Sequence, residues 1–267
     1  MPATTAIPVL LYHCVGSDPS GWIAPFTVSA DDLDRHLDMA ETAGRTALTV
    51  SQLRDGLAGR RPLPARPFVI TFDDGFVDTL TVAAPVLERH GVSATVYVTT
   101  GFIAASSPGG DRMLDWSQVR ELADRGHEIG AHTVTHPQLD VLPAHESAKE
   151  IRGSKERLED RLADPVRSFA YPHGYSTPRV RRQVVEAGFD SACSVKNVLS
   201  GRPDTLFSIS RLTMTPDTTA PTVRQWLDGA GRVGQPDERA ATRVWRSYRW
   251  MRSHRQRGLR APVGHRS

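Results

Sequence analysis

Cysteine is nearly absent from this 267-residue chain. Cys14 and Cys193 are too few for a disulfide framework, and neither stands in a metal-binding or redox spacing. Both are expected as small apolar core residues. No apolar run approaches the ~20 residues needed to cross a bilayer. The start, Met1-Pro2-Ala3-Thr4-Thr5-Ala6-Ile7-Pro8, lacks a basic opening followed by a long apolar run, so no secretory signal is visible. A cytoplasmic location is therefore the default expectation. Lysine is missing from residues 230–267, which hold ten arginines against Asp237 and Glu238, a net of +8. With +3 overall, residues 1–229 carry −5. A mildly acidic remainder argues against nucleic acid as the main substrate, which would want a basic face near the site.

What is present is an alternation of strand-like and helix-like stretches, without internal repeat. Ile7–Tyr12 reads as a buried strand ending at His13, followed by a Gly/Pro-containing loop over 15–28 that would overhang a site. Ser29 caps a helix with Asp31 and Asp32 in its first turn, stopped by Gly44. Thr46–Val50 reads as a strand, and Ser51 as the cap of a helix through Leu57. Phe68–Phe72 is the next strand, and Phe76–His90 a helix despite Pro85. Val92–Val98, His127–Ala131, Arg167–Tyr171, Phe189–Val195 and Phe207–Leu212 read as further strands. Helices are expected over Trp116–Arg125, Ala144–Leu162, Thr177 to Gly188 and Ala220–Leu227. Such alternation predicts an α/β fold, with parallel strands joined by crossover helices and closed at this length into a single-domain barrel. The barrel domain is placed at residues 1–228, and residues 229–267 are a basic tail rich in Arg and Trp.

The chemistry concentrates at predicted strand ends. Phe68-Val69-Ile70-Thr71-Phe72 runs straight into Asp73-Asp74-Gly75. Two adjacent carboxylates at the mouth of a core strand repel each other and favour a cation, whereas a turn or helix cap explains only one of them. Downstream, His132 and His136 are four apart, so on a helical turn or a tight loop both imidazoles point one way. Two imidazoles and a carboxylate suit a borderline divalent ion such as zinc, with positions left open. Barrel chemistry sits at the carboxyl ends of the strands, and His13, Asp73, Asp74, His132 and the Pro172-His173 turn all fall there.

Thr71-Phe72-Asp73-Asp74-Gly75 and His132-Thr133-Val134-Thr135-His136 resemble the first two motifs of the polysaccharide deacetylases, carbohydrate esterase family 4, over roughly residues 7–228. The resemblance implies a distorted barrel of about seven strands and a divalent ion, zinc or else cobalt or nickel. It makes Asp73 the general base and Asp74, His132 and His136 the metal ligands. Ser168-Phe169-Ala170-Tyr171-Pro172-His173-Gly174 stands in place of the third motif, in a form that resembles the poly-N-acetylglucosamine deacetylase branch. Ala170 replaces the arginine that usually pairs with the catalytic aspartate, and His173 replaces a tyrosine. In the family a backbone N–H from this turn helps to hold the oxyanion, which His173 can supply whatever its side chain. Another cation should then hold Asp73, and Arg211 at the end of a late strand is the candidate, against an ordinary exposed arginine. The family's acid histidine is also missing, since no His occurs between His173 and His254. His13 is the favoured proton donor and His173 the alternative.

The expected activity is metal-dependent removal of acetyl groups from an N-acetylated sugar, oligosaccharide or polysaccharide, with a non-sugar amide and a non-catalytic glycan-binding relative as alternatives. Adjacent Asp residues on one strand are poorly placed to flank a glycosidic bond, which disfavours a glycoside hydrolase. A non-haem iron oxygenase shares the two-His-one-carboxylate set but leaves the second Asp unused. Trp22, Phe26 and Trp116 are expected to stack on a sugar or to anchor loops, and Trp226 to lie in the core. Residues 243–260 mix Arg with Trp, Tyr and Met at helical spacing, as in a helix lying on an anionic membrane surface or in a solvated tail.

Overall fold

The computed structural model describes residues 6–201 and 204–233. The basic 243–260 stretch, and with it the membrane-surface reading, lies outside the described residues. Among the described residues no helix is long and apolar enough to cross a membrane.

Among the described residues, ten strands and seven α-helices follow one another. The strands are β1 (Val9–Tyr12), β2 (Cys14–Val15), β3 (Thr27–Val28), β4 (Thr46–Leu48), β5 (Pro67–Phe72), β6 (Thr95–Val98), β7 (Glu128–Ala131), β8 (Ser168–Ala170), β9 (Ser191–Cys193) and β10 (Leu212–Thr213). The helices are α1 (Ala30–Thr42), α2 (Val50–Leu57), α3 (Ala84–Arg89), α4 (Trp116–Asp124), α5 (Ala144–Leu162), α6 (Pro178–Glu186) and α7 (Ala220–Leu227). Seven strands pair in parallel in the order β10-β1-β5-β6-β7-β8-β9 and curl into a distorted barrel, with β4 alongside the first half of β5. The ring is drawn together where Ile209 bridges Cys193, the Ser194 N–H donating to the Ile209 carbonyl at 2.8 Å. Every residue of β5 is buried, as its unbroken apolar run demands of a strand covered on both faces.

Several sequence readings shift in detail. Thr49, not Ser51, caps α2 in a reciprocal capping box with Gln52. Ser51 instead donates its N–H and hydroxyl to Glu128, which also accepts from Thr95 and Ser168 and so closes the lower end of the barrel with a satisfied polar cluster. The helix expected over Phe76–His90 begins only at Thr79, as a π-turn over Thr79–Ala83 before α3. Pro85 has no N–H for a regular i→i−4 bond, and the wider turn absorbs that break. The loop over 15–28 is tied down by the β2–β3 pair and by Ser20, whose N–H and hydroxyl both donate to Asp111. Cys14 is buried but not merely apolar, because its thiol donates to the Asp78 carboxylate. Trp226 is only partly buried against the core.

Gly130 marks how tightly the barrel is filled. It pairs with Tyr97 across β6 and β7, and a Cβ there would stand 2.5 Å from two carbons of the Tyr97 ring and 2.9 Å from the Ser168 hydroxyl. Gly130→Ala should therefore cost about 1–3 kcal/mol through overpacking. That is a fall of roughly 2–12 °C in the melting temperature for a chain of this size, readable in a thermal melt.

Candidate active site

The two acidic residues leave β5 at its carboxyl end. Asp73 is still registered with the sheet, its N–H donating to the Tyr12 carbonyl at 2.9 Å, while Asp74 turns away at φ 75°. Across the rim, β7 delivers His132, whose N–H donates to the Val98 carbonyl at 3.0 Å. His136 returns on a tight loop, so the left-handed turns at Thr133 (φ 68°) and His136 (φ 57°), rather than a helix, bring both imidazoles to one side.

His132 Nε2 lies 3.5 Å and His136 Nε2 3.2 Å from Asp74 Oδ1. One ligand atom from each residue falls within 4.8 Å of the others. His132 Nδ1 is 2.8 Å from the Ala170 carbonyl, a contact that requires its proton and leaves the Nε2 lone pair facing Asp74. Burial lowers both histidines, His132 to about 3, so both are neutral donors at neutral pH. Burial also pushes Asp74 up to about 6, and its Oδ1 has no hydrogen-bond partner. A charge-starved buried carboxylate facing two neutral imidazoles is the donor set that a divalent cation would satisfy.

Asp73 is treated differently by its surroundings. Burial alone would raise its pKa, but the charge and hydrogen bonds of Arg211, together with His132 and His13, outweigh it, and the carboxyl is held down at about 2. Arg211 is fully buried and donates to both Asp73 oxygens, at 2.6 and 2.7 Å. The guanidinium also donates to the Thr71 hydroxyl and the Ser194 carbonyl, and stacks over Tyr97 at 5.4 Å. Here the fork geometry of arginine matters, since it holds the carboxylate bidentately and in one orientation.

His13 follows β1, with Nδ1 buried and unpartnered. Burial lowers its pKa, against the opposing pull of Asp74 and Asp73. Its ring is 5.2 Å from that of Phe26. His173 is exposed at φ 57°, its ring edge-on to His136 at 4.7 Å. Trp22 and Phe26 are 45% and 41% exposed, and Phe26 reaches the site through His13. Trp116 is partly buried, with Arg161 over its ring at 5.3 Å. Three contributors escape motif reading. The Ala170 carbonyl acts through its backbone, Thr71 Oγ1 supports Arg211 from inside the barrel, and Glu150 holds the loop between the two histidines.

Residues 60–192, about half of the chain, match the family model described as polysaccharide deacetylase. The chain belongs to the polysaccharide deacetylase family. Members of this family, carbohydrate esterase family 4, are divalent-metal-dependent hydrolases, and this protein is an enzyme of that class. YxkH of Bacillus subtilis, itself named a polysaccharide deacetylase only provisionally, is 24% identical over 210 residues, 79% of this chain and 72% of YxkH. The poly-beta-1,6-N-acetyl-D-glucosamine N-deacetylase of Escherichia coli is 30% identical over 101 residues, 34% of this chain but only 15% of that enzyme. Among solved structures, IcaB from Ammonifex degensii superposes with a TM-score of 0.75 at 27% identity, over 84% of this chain and 97% of IcaB. The likeness to IcaB thus spans most of the chain, while much of the E. coli enzyme has no counterpart in the match.

Proposed function

We propose that this polysaccharide deacetylase removes acetyl groups from N-acetylglucosamine units of a glycan, with Asp74, His132 and His136 holding a zinc ion and Asp73 as the base. The observation that carries this reading is the convergence of those three side chains, beside a carboxylate kept ionised by Arg211. When bound, such an ion supplies Lewis acidity, polarising the acetamide carbonyl and lowering the pKa of a coordinated water to about 7.

The chain's own residues do the rest. Asp73, oriented by Arg211, accepts a proton as the oxygen of water bonds to the acetyl carbon. A backbone N–H of the Pro172–Gly174 turn donates to the developing oxyanion. As the C–N bond breaks, the amine nitrogen receives a proton from His13, which stands on the same rim. His173, exposed, is the alternative donor. Acetate and a free amine leave. The exposed Trp22 and Phe26 offer apolar faces to a sugar ring next to His13.

The test is acetate release from β-1,6- and β-1,4-linked N-acetylglucosamine oligomers, in metal-free protein and with added zinc, cobalt or nickel. Metal-dependent acetate release is expected, and it should be abolished by a chelator and restored by the ion. Glycan binding without acetate release, metal supplied, would mark a non-catalytic relative. Release from simple amides but not from sugars would move the substrate outside glycans.

A further inference from the structure

The loop between His132 and His136 poses a folding problem of its own. Two side chains four residues apart face one point only because the backbone enters the left-handed region at Thr133 and at His136. For a β-branched residue such as Thr133 that conformation is a steric outlier, and it persists only where the surroundings over-determine it.

The surroundings do so from two sides. From the β6 side, the N–H groups of Thr100 and Gly101 donate to the Thr133 and Val134 carbonyls at 3.1 and 2.7 Å. Within the loop, the Thr133 hydroxyl accepts from the His136 N–H at 3.0 Å. From the helix side, a single carboxylate takes three of the loop's donors. Glu150 Oε2 accepts from the N–H groups of Val134 (2.9 Å) and Thr135 (2.8 Å), and Oε1 accepts from the Thr135 hydroxyl at 2.8 Å. Glu150 is itself well placed to act as a fixed point. Its helix, α5, buries Ile151, Ser154 and Leu158, and α6 grips it where Gln183 and Arg179 meet the Ser147 hydroxyl.

We propose that Glu150 is a positioning residue that holds the 133–136 loop in its left-handed form, so that His132 and His136 face Asp74 before any ion arrives. The proposal rests on the reading of those three residues as ligands. A charged acceptor spanning two consecutive N–H groups makes strong hydrogen bonds. Their loss frees the loop to relax toward an ordinary backbone conformation in which His136 swings away. The effect is on ion affinity rather than on the chemistry of the loaded site.

The test compares Glu150→Ala and Glu150→Gln with the parent. Zinc affinity is read by competition with a chromophoric chelator, the cobalt form by its visible spectrum, and the Val134 and Thr135 amides by hydrogen exchange in metal-free protein. Glu150→Ala should bind zinc 10- to 100-fold more weakly, the usual range for outer partners of a metal site. It should also exchange both amides faster, yet approach the parental kcat at saturating metal. Glu150→Gln, whose carbonyl still accepts from the two amides, should retain most of the affinity. Parental zinc affinity and unchanged amide exchange in Glu150→Ala overturn the proposal alone. A parent that binds no ion overturns the ligand reading, and the proposal with it. If Glu150→Ala fails to melt cooperatively, Glu150→Asp, which keeps the charge but shortens the side chain, is judged by the same two criteria.

Discussion

Asp73→Asn should bind zinc like the parent and release acetate about 10³-fold more slowly. The substitution is nearly isosteric, and it leaves Asp74, His132 and His136 with the geometry that brings them together. What it removes is a charge. A carboxylate held at a pKa of about 2 by Arg211 is ionised under any working condition and accepts a proton, whereas an amide accepts none. General-base removal alone accounts for a factor of 10² to 10⁴. Paired metal titration and acetate assays check both halves. A near-parental rate would refute the assignment of Asp73 as base, and a loss of zinc would show that Asp73, and not only Asp74, is needed to hold the ion.

Arg211→Met should be nearly as damaging, by a different route. It removes the cation but keeps an apolar side chain of comparable length, leaving the Asp73 carboxylate in a site where both partners were buried. Breaking a buried pair by deleting one partner costs about 3–5 kcal/mol. For a chain of this size that is a fall of roughly 6–20 °C in the melting temperature. Burial then acts on Asp73 without its main opponent and drives it toward the neutral acid, so acetate release should fall at least about 10²-fold as well. The double variant Asp73→Asn with Arg211→Met separates the two effects. It should recover much of the stability, because no charge remains unpaired, and none of the activity. A double variant as unstable as Arg211→Met would mean that Arg211 stabilises the barrel through Ser194 and Tyr97 rather than through its charge pair.

The alternation of elements is legible in the sequence because strands such as β1 and β5 are short apolar runs and several helices begin at a recognisable cap, as at Ser29 and Thr177. The departures fall where a local pattern competes with a distant partner. Ser51 has the composition of a cap but is drawn to Glu128, 77 residues away. Pro85 converts the start of an expected helix into a π-turn, a choice that depends on how the turn packs. Cys14 has the look of a small core residue and meets a carboxylate.

By itself the sequence determined that Asp73, Asp74 and His132 stand at strand ends, with His136 four residues further on, because the period of the apolar runs and the turn residues after them are local properties of the chain. Only the tertiary structure decided which groups complete the site. Arg211 lies 138 residues from Asp73, and in the sequence it is a candidate for that aspartate's cation that an ordinary exposed arginine would equally explain. The Ala170 contribution is a carbonyl that every residue carries, and Glu150 is one acid among many on a charged helix. The physical reason is that a hydrogen bond or a charge pair is specified by position in space. The chain writes the donors and acceptors down, and closing the barrel selects which of them meet.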